Sequence, residues 1–183
     1  MSAIRNSTMT PAEVEQFIVQ LPDMLAGDIQ DPTGIVRLAQ MDLAFFLFTE
    51  MKLAFVAKAR GGTDKAGIKW APLKPATIRR RRKKGVGGVE ILRDTGRLLN
   101  SISPSAPGVT PVDGILEITP GMIRVGSNVV YASFHNEGGS IPGRPPQRQF
   151  IWESDGIPQD VLDRGVEKFR DRILSALQAR LAS

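Results

Sequence analysis

The chain has no cysteine in its 183 residues. Disulfide scaffolds, thiolate metal sites and cysteine nucleophiles are thereby excluded, and the composition suits a protein assembled in a reducing cytoplasm. Histidine occurs once, at His135. A hydrolase or transferase needs a base, a nucleophile or a set of metal ligands. A lone imidazole supplies neither paired ligands nor a relay. Glu137, two residues on, adds a carboxylate, but no third ligand follows. Walker-type phosphate loops are missing too, since no Gly-Lys-Ser or Gly-Lys-Thr closes a glycine-rich segment. The expectation is a chain that is not an enzyme and uses no cofactor or metal. Long apolar runs are also lacking. The greasiest stretch, residues 43–49, is bounded by Asp42 and Glu50 and falls far short of the ~20 residues a membrane helix requires. Residues 1–10 hold no apolar signal core, so nothing there marks the chain for export. A soluble, cytoplasmically assembled protein with no membrane partner is expected.

What is present reads as one domain, 1–183, with a real core: 42% of residues are hydrophobic and 23% charged. The net charge of +5 is local. Arg79, Arg80, Arg81, Arg82, Lys83 and Lys84 are six of the 24 basic residues, and the other 18 fall one short of the 19 acidic ones. A polyanion or acidic partner would therefore act at this run and not over the whole surface.

The periodicity predicts an α+β domain: a long N-terminal helix and a C-terminal helix packed on a small antiparallel sheet, with a long basic loop. Thr10-Pro11 and Glu13 open a first helix in an N-terminal helical arm, 1–30, which Pro22 stops or kinks. Asp31-Pro32 starts a second, running to Arg60 and stopped by Gly61-Gly62. At ~1.5 Å per residue it is roughly 40 Å long. Its apolar positions wrap more than half the circumference, so it wants cover on several sides. Residues 61–90, rich in glycine, lysine and arginine, read as a flexible exposed loop carrying the basic run. A short helix follows Ile91, with Asp94 or Thr95 as cap and Leu98, Leu99 and Ile102 inward. Residues 115–119 and 122–125 flank Pro120-Gly121 as a hairpin. Residues 129–134 and 149–152 are further strand candidates. A helix from about 158 to 181 carries Leu162, Val166, Phe169, Ile173 and Leu177 on one stripe.

Four short motifs recur to the eye in fixed order: Trp70-Ala71-Pro72-Leu73; Ile91-Leu92-Arg93-Asp94-Thr95-Gly96-Arg97-Leu98-Leu99-Asn100-Ser101; Tyr131-Ala132-Ser133-Phe134-His135-Asn136-Glu137-Gly138-Gly139; and Arg144-Pro145-Pro146-Gln147-Arg148-Gln149-Phe150-Ile151. Each is weak alone. Together, over roughly residues 61–152, the chain resembles the phage virion morphogenesis family, the Mu-like and tail-completion proteins that act where a phage tail meets its head. The resemblance implies a small structural virion protein without enzymatic activity. It implies an α+β fold that closes a homo-oligomeric ring, six subunits being the usual expectation, around the DNA path at the head–tail junction. Partners would be other neck and tail-tube proteins, with non-specific contact to duplex DNA in the lumen. The matching positions are Trp70, Leu73, Thr95, Gly96, Leu98, Ser101, Tyr131, Ala132, His135, Gly138, Arg144, Pro145, Arg148 and Phe150, which look structural or interfacial.

Alternatives stay open at particular residues. Trp70 is either the anchor of a loop base or an interface anchor. The proline-rich stretch 141–146 either reaches a neighbouring subunit or connects elements on the surface. The run 79–84 contacts DNA phosphates, docks on an acidic protein, or is merely solvated. No aromatic residue interleaves with its cations, which argues against stacking on single strands. A sequence-independent DNA-binding accessory protein using 79–84 is the competing function.

Overall fold

A computed structural model describes residues 34–64, 67–85, 90–119, 121–138, 145–152 and 156–181. The arm expected at 1–30 and the helix start at Asp31-Pro32 lie outside them. Seven elements follow in chain order: α1 (Ile35–Ala59), α2 (Pro75–Lys83), α3 (Arg97–Asn100), β1 (Gly114–Thr119), β2 (Met122–Ser127), α4 (Ala132–Glu137) and α5 (Gln159–Leu181). Helices and a two-stranded antiparallel sheet make this an α+β fold.

The long helix α1 runs 25 residues with neither glycine nor proline inside it. It ends as the glycine pair requires. Gly61 takes a left-handed φ of 84°, its N–H bonding Lys58 O at 3.0 Å while the Gly62 N–H reaches Ala57 O at 3.0 Å. These are the paired bonds of a Schellman cap. Three faces of α1 are covered. Near its start, Gln40 Nε2 donates to Thr119 O at 3.1 Å, and Arg37 donates to Ile118 O, holding the tip of the hairpin. The hairpin pairs Gly114 with Ser127 through to Thr119 with Met122, and Gly121 at its turn has φ 77°.

A second face meets α5 in antiparallel register. Arg164 pairs with Glu50 at 3.0 Å, Lys168 stands over the Phe46 ring at 5.6 Å, and Arg172 pairs with Asp42 at 3.0 Å. Each rung is four residues from the next on both helices. Between them Gly165 lets the backbones close: a Cβ there would stand 3.0 Å from Leu43 Cδ1. The buried line on α5 includes Val161, Gly165 and Leu177, while Val166 is 66% exposed, so the stripe expected from the spacing is rotated by about one residue at its start.

The third face is the core. Phe48, Met51, Phe55 and Ala59 of α1 pack with Trp70, Ile91, Leu98, Ile102, Val129 and Phe150. Phe55 lies edge-on to Trp70 (centroids 5.1 Å apart) and to Phe150 (5.9 Å), contacts worth about 0.5–1.5 kcal/mol each beyond their burial. At the edge of this core sits a lysine. Lys58, 2% exposed, donates to Asp64 Oδ2 at 2.9 Å and to Gln149 O at 2.8 Å, with its ammonium 5.3 Å from the centre of the Trp70 ring. Trp70 Nε1 donates to the same Gln149 carbonyl at 3.0 Å, and Asp64 Oδ1 accepts the Ile68 N–H at 2.9 Å.

Three readings of the sequence change. The basic run lies largely on a helix, α2, whose Pro75 occupies the first turn and whose arginines and lysine end the last turn, where positive charge suits the helix dipole. Residues 129–134 are not a strand. Ser127 Oγ accepts the Val129 N–H at 3.3 Å and the Ala132 N–H bonds Val129 O at 2.7 Å, turning the chain out of β2 and into α4. Residues 149–152 join no sheet either. The Asn136 side chain takes their donors instead, Oδ1 accepting from the Phe150 and Ile151 N–H groups at 3.0 Å each.

Replacing Lys58 by alanine strands the Asp64 carboxylate, and the expected cost is about 3–5 kcal/mol in urea unfolding. The joint change Lys58→Met with Asp64→Leu should be clearly less damaging than the sum of the two single changes. Additive losses would show that the pair is not coupled.

Candidate functional site

The four motifs converge. Leu73 from the first, Leu92, Asp94 and Thr95 from the second, Tyr131, Phe134 and His135 from the third, and Pro145, Pro146 and Arg148 from the fourth line one groove of about 610 Å³. Lys74, Thr77, Arg80 and Arg81 of the α2 segment complete it. The other marked positions stand behind the groove as its support. Trp70, Phe150, Leu98, Ser101 and Ala132 are buried. Gly96, with φ 77°, is the residue from which α3 starts. The hydroxyl of Thr95 accepts the Arg97 N–H at 3.4 Å, but Gly96 holds the cap position and no side chain caps α3, so neither Asp94 nor Thr95 is the cap expected from the sequence. Arg144 lies outside the described residues.

Helix α2 is fixed to this site by one arginine. Thr77, Ile78 and Arg81 fall on the inward face, as the spacing of three and four dictates. Arg81 donates to Glu90 O at 2.6 Å and pairs with Asp94 at 3.5 Å, its side chain 11% exposed. The run of six cations is therefore divided. Arg79, Arg80, Arg82, Lys83 and Lys84 remain exposed while Arg81 is a structural tether.

The third and fourth motifs are zipped together by backbone. Gly138 ends α4 with φ 64° and ψ −155°, a region that only glycine occupies without strain. A Cβ there would stand 2.4 Å from Gln147 Cα. This close approach lets the Arg148 N–H reach His135 O at 2.8 Å and sets Asn136 under Phe150 and Ile151. Gly114 is packed as tightly, since a Cβ would lie 2.8 Å from Ser101 O. Ser101 in turn donates to Leu98 O at 2.7 Å and meets Ser127 Oγ at 2.6 Å, tying the second motif to the end of β2.

His135 is half-buried, with Tyr131 and Phe134 edge-on at 6.0 and 6.3 Å between centroids and no partner for Nδ1 among the described residues. Burial, and then the positive charge of Arg148, hold its pKa below the ordinary histidine value. The ring is neutral at physiological pH and packs as an aromatic. Arg148 is pulled below the usual arginine value by burial and by Arg81. Among the described residues, no group of three or more His, Asp or Glu stands close enough to hold a metal ion. No described helix is long and apolar enough to cross a membrane. Lys58, Asp64 and Asn136 were not marked by the sequence, because a lysine, an aspartate and an asparagine carry no local sign of burial.

Gly138→Ala should cost at least about 2 kcal/mol, combining backbone strain with displacement of Gln147. Gly121→Ala, whose site is open, should cost about 1 kcal/mol; equal losses would mean that the 138–147 approach is not tight. For His135 the folded pKa is depressed, so its contribution to stability is present above about 6.5 and is lost as pH falls below that value. Between about pH 7.5 and pH 5 the melting temperature should therefore drop less in His135→Gln than in the parent. Parallel curves would show that the imidazole is not the titrating group.

Comparison with known proteins gives one finding. The family model of phage virion morphogenesis proteins matches residues 42–159. That span takes in all four motifs, and also most of α1, which the motif reading had left outside. No curated protein and no solved structure matches the chain. With the match covering well over half of its length, this chain belongs to the phage virion morphogenesis family.

Proposed function

We propose that this chain is a tail-completion or terminator protein that closes a homo-oligomeric ring, six subunits being the expected number, at the head–tail junction around the DNA path. Family membership carries the coarser part, a structural role in the phage virion. The finer part is supported by what the groove lacks and what surrounds it. Its chemistry is that of contact: aromatic rings, prolines, arginines and a neutral histidine, without a nucleophile–base pair. Beside it Val130 is 92% exposed and Tyr131 and Phe134 about two-fifths exposed, a cluster at the turn into α4 that suits a neighbouring subunit. The chain would assemble in the host cytoplasm and work in the virion with other neck and tail-tube proteins.

One observation favours a second reading. Five exposed cations on and just after α2 give a surface suited to phosphate contacts with duplex DNA, with or without a ring. Light scattering on the purified protein at low and high salt separates the two. A hexamer-sized or larger species that survives salt is the expected outcome, and Val130→Asp should shift it toward monomer. A monomer that binds duplex DNA tightly at low salt and releases it at high salt would put the DNA-binding reading in its place.

A further inference from the structure

Arg148 is the anomaly of the groove. The residue is 7% exposed, yet among the described residues its guanidinium makes one hydrogen bond, Nη2 to Ala71 O at 3.3 Å, and Nε finds no partner. Among the described residues it has no ion pair. Burial, and then the Arg81 charge, both disfavour its charged form. Arg81 is itself paired with Asp94 at 3.5 Å, while Lys74 and Arg80 on the exposed wall and the buried Arg148 leave the groove cationic. A buried guanidinium with unused donors is costly to keep unless something completes it. Its planar fork suits two oxygens held side by side, as in a carboxylate.

The walls narrow the class of ligand further. Leu73, Tyr131 and Pro145 line the same groove, as does Arg80 from α2. A groove of about 610 Å³ that mixes leucines, aromatic rings and prolines with cationic and hydroxyl side chains accepts a few residues of extended chain. The phosphates of duplex DNA stand on the outside of a stiff rod and are met by exposed cations. Arg79, Arg82, Lys83 and Lys84, exposed and not part of the groove lining, fit that description; Arg148 does not.

We infer that the groove is a docking site for an extended segment of a partner polypeptide, an aspartate or glutamate of which forks onto Arg148 while its apolar neighbours rest on Leu73 and Tyr131. The groove keeps this property whether or not the chain closes a ring, so the two proposals can fail separately.

The test is fluorescence anisotropy on the full-length protein with a labelled peptide repeating Leu-Asp-Gly, so that every register presents a carboxylate. The matched Leu-Asn-Gly peptide and a labelled duplex DNA are the comparison probes. Saturable binding of the aspartate peptide is expected, with the asparagine peptide roughly tenfold weaker or worse. Arg148→Lys, which keeps charge but loses the fork, should weaken the aspartate peptide by roughly tenfold, and Arg79→Gln with Arg82→Gln should leave it unchanged. If Arg148→Lys fails to fold by circular dichroism, Arg80→Glu at the exposed wall takes its place, and a several-fold loss is expected. Equal binding of the two peptides, or no saturable binding of either, would overturn the proposal. So would Arg148-dependent binding confined to the duplex.

Discussion

One ammonium group holds the fold's centre. Lys58 Nζ lies where the end of α1, the turn at Asp64, the first motif at Trp70 and the last motif at Gln149 meet. A lysine taken out of water must find compensation in full, and here it finds a carboxylate, a carbonyl and an indole face. Each of these partners is fixed by something else: Asp64 by the Ile68 N–H, Trp70 by its own bond to Gln149 O, and Gln149 by the Asn136 contacts on the next two residues. Such a network tolerates little independent movement. Segments separated by about half of the chain are therefore held in one geometry, and the groove's walls stand on it.

This explains why the motifs are what they are. Trp70 and Phe150 pack on the Phe55 ring, leaving Leu73 and Arg148, a few residues along the same segments, to reach the groove. In the third motif Tyr131, Phe134 and His135 face the groove from α4, and Asn136 and Gly138 serve the join to the fourth motif. Support and contact thus alternate along each motif. The result is a groove whose shape is set by the buried residues behind it.

Much of the scaffold was legible in the sequence for identifiable reasons. Gly61-Gly62 announced the Schellman end of α1, Pro120-Gly121 announced the hairpin, and Leu98, Leu99 and Ile102 were correctly assigned to the interior. What failed was non-local. Residues 129–134 have strand-forming composition, but a serine hydroxyl at the end of β2 captures the next free N–H and turns the chain. Arginine and lysine are good helix formers, and Pro75 was an available start signal. Charge repulsion and flanking glycines outweighed both in reading that stretch as loop. At the site, the four motifs were visible as strings, whereas their convergence depends on Gly138 and Asn136, whose roles exist only once Gln147 and Phe150 have arrived beside them.

The antiparallel ladder between α1 and α5 bears on the order in which the molecule comes together. Its rungs, Glu50 with Arg164, Phe46 under Lys168 and Asp42 with Arg172, join an early helix to a late one. As the chain leaves the ribosome, α1 can cap itself and gather the Trp70 and Ile91 segments long before α5 exists. The Phe46 face therefore waits, greasy and flanked by two acids, until its basic counterpart is made. Those acids keep the waiting face wetted, and sliding α5 by one turn, about 5.4 Å, would bring Lys168 to Glu50 but Arg172 to Phe46, leaving Asp42 without its arginine. The same charges that finish the fold guard its unfinished form and set the alignment at which it closes.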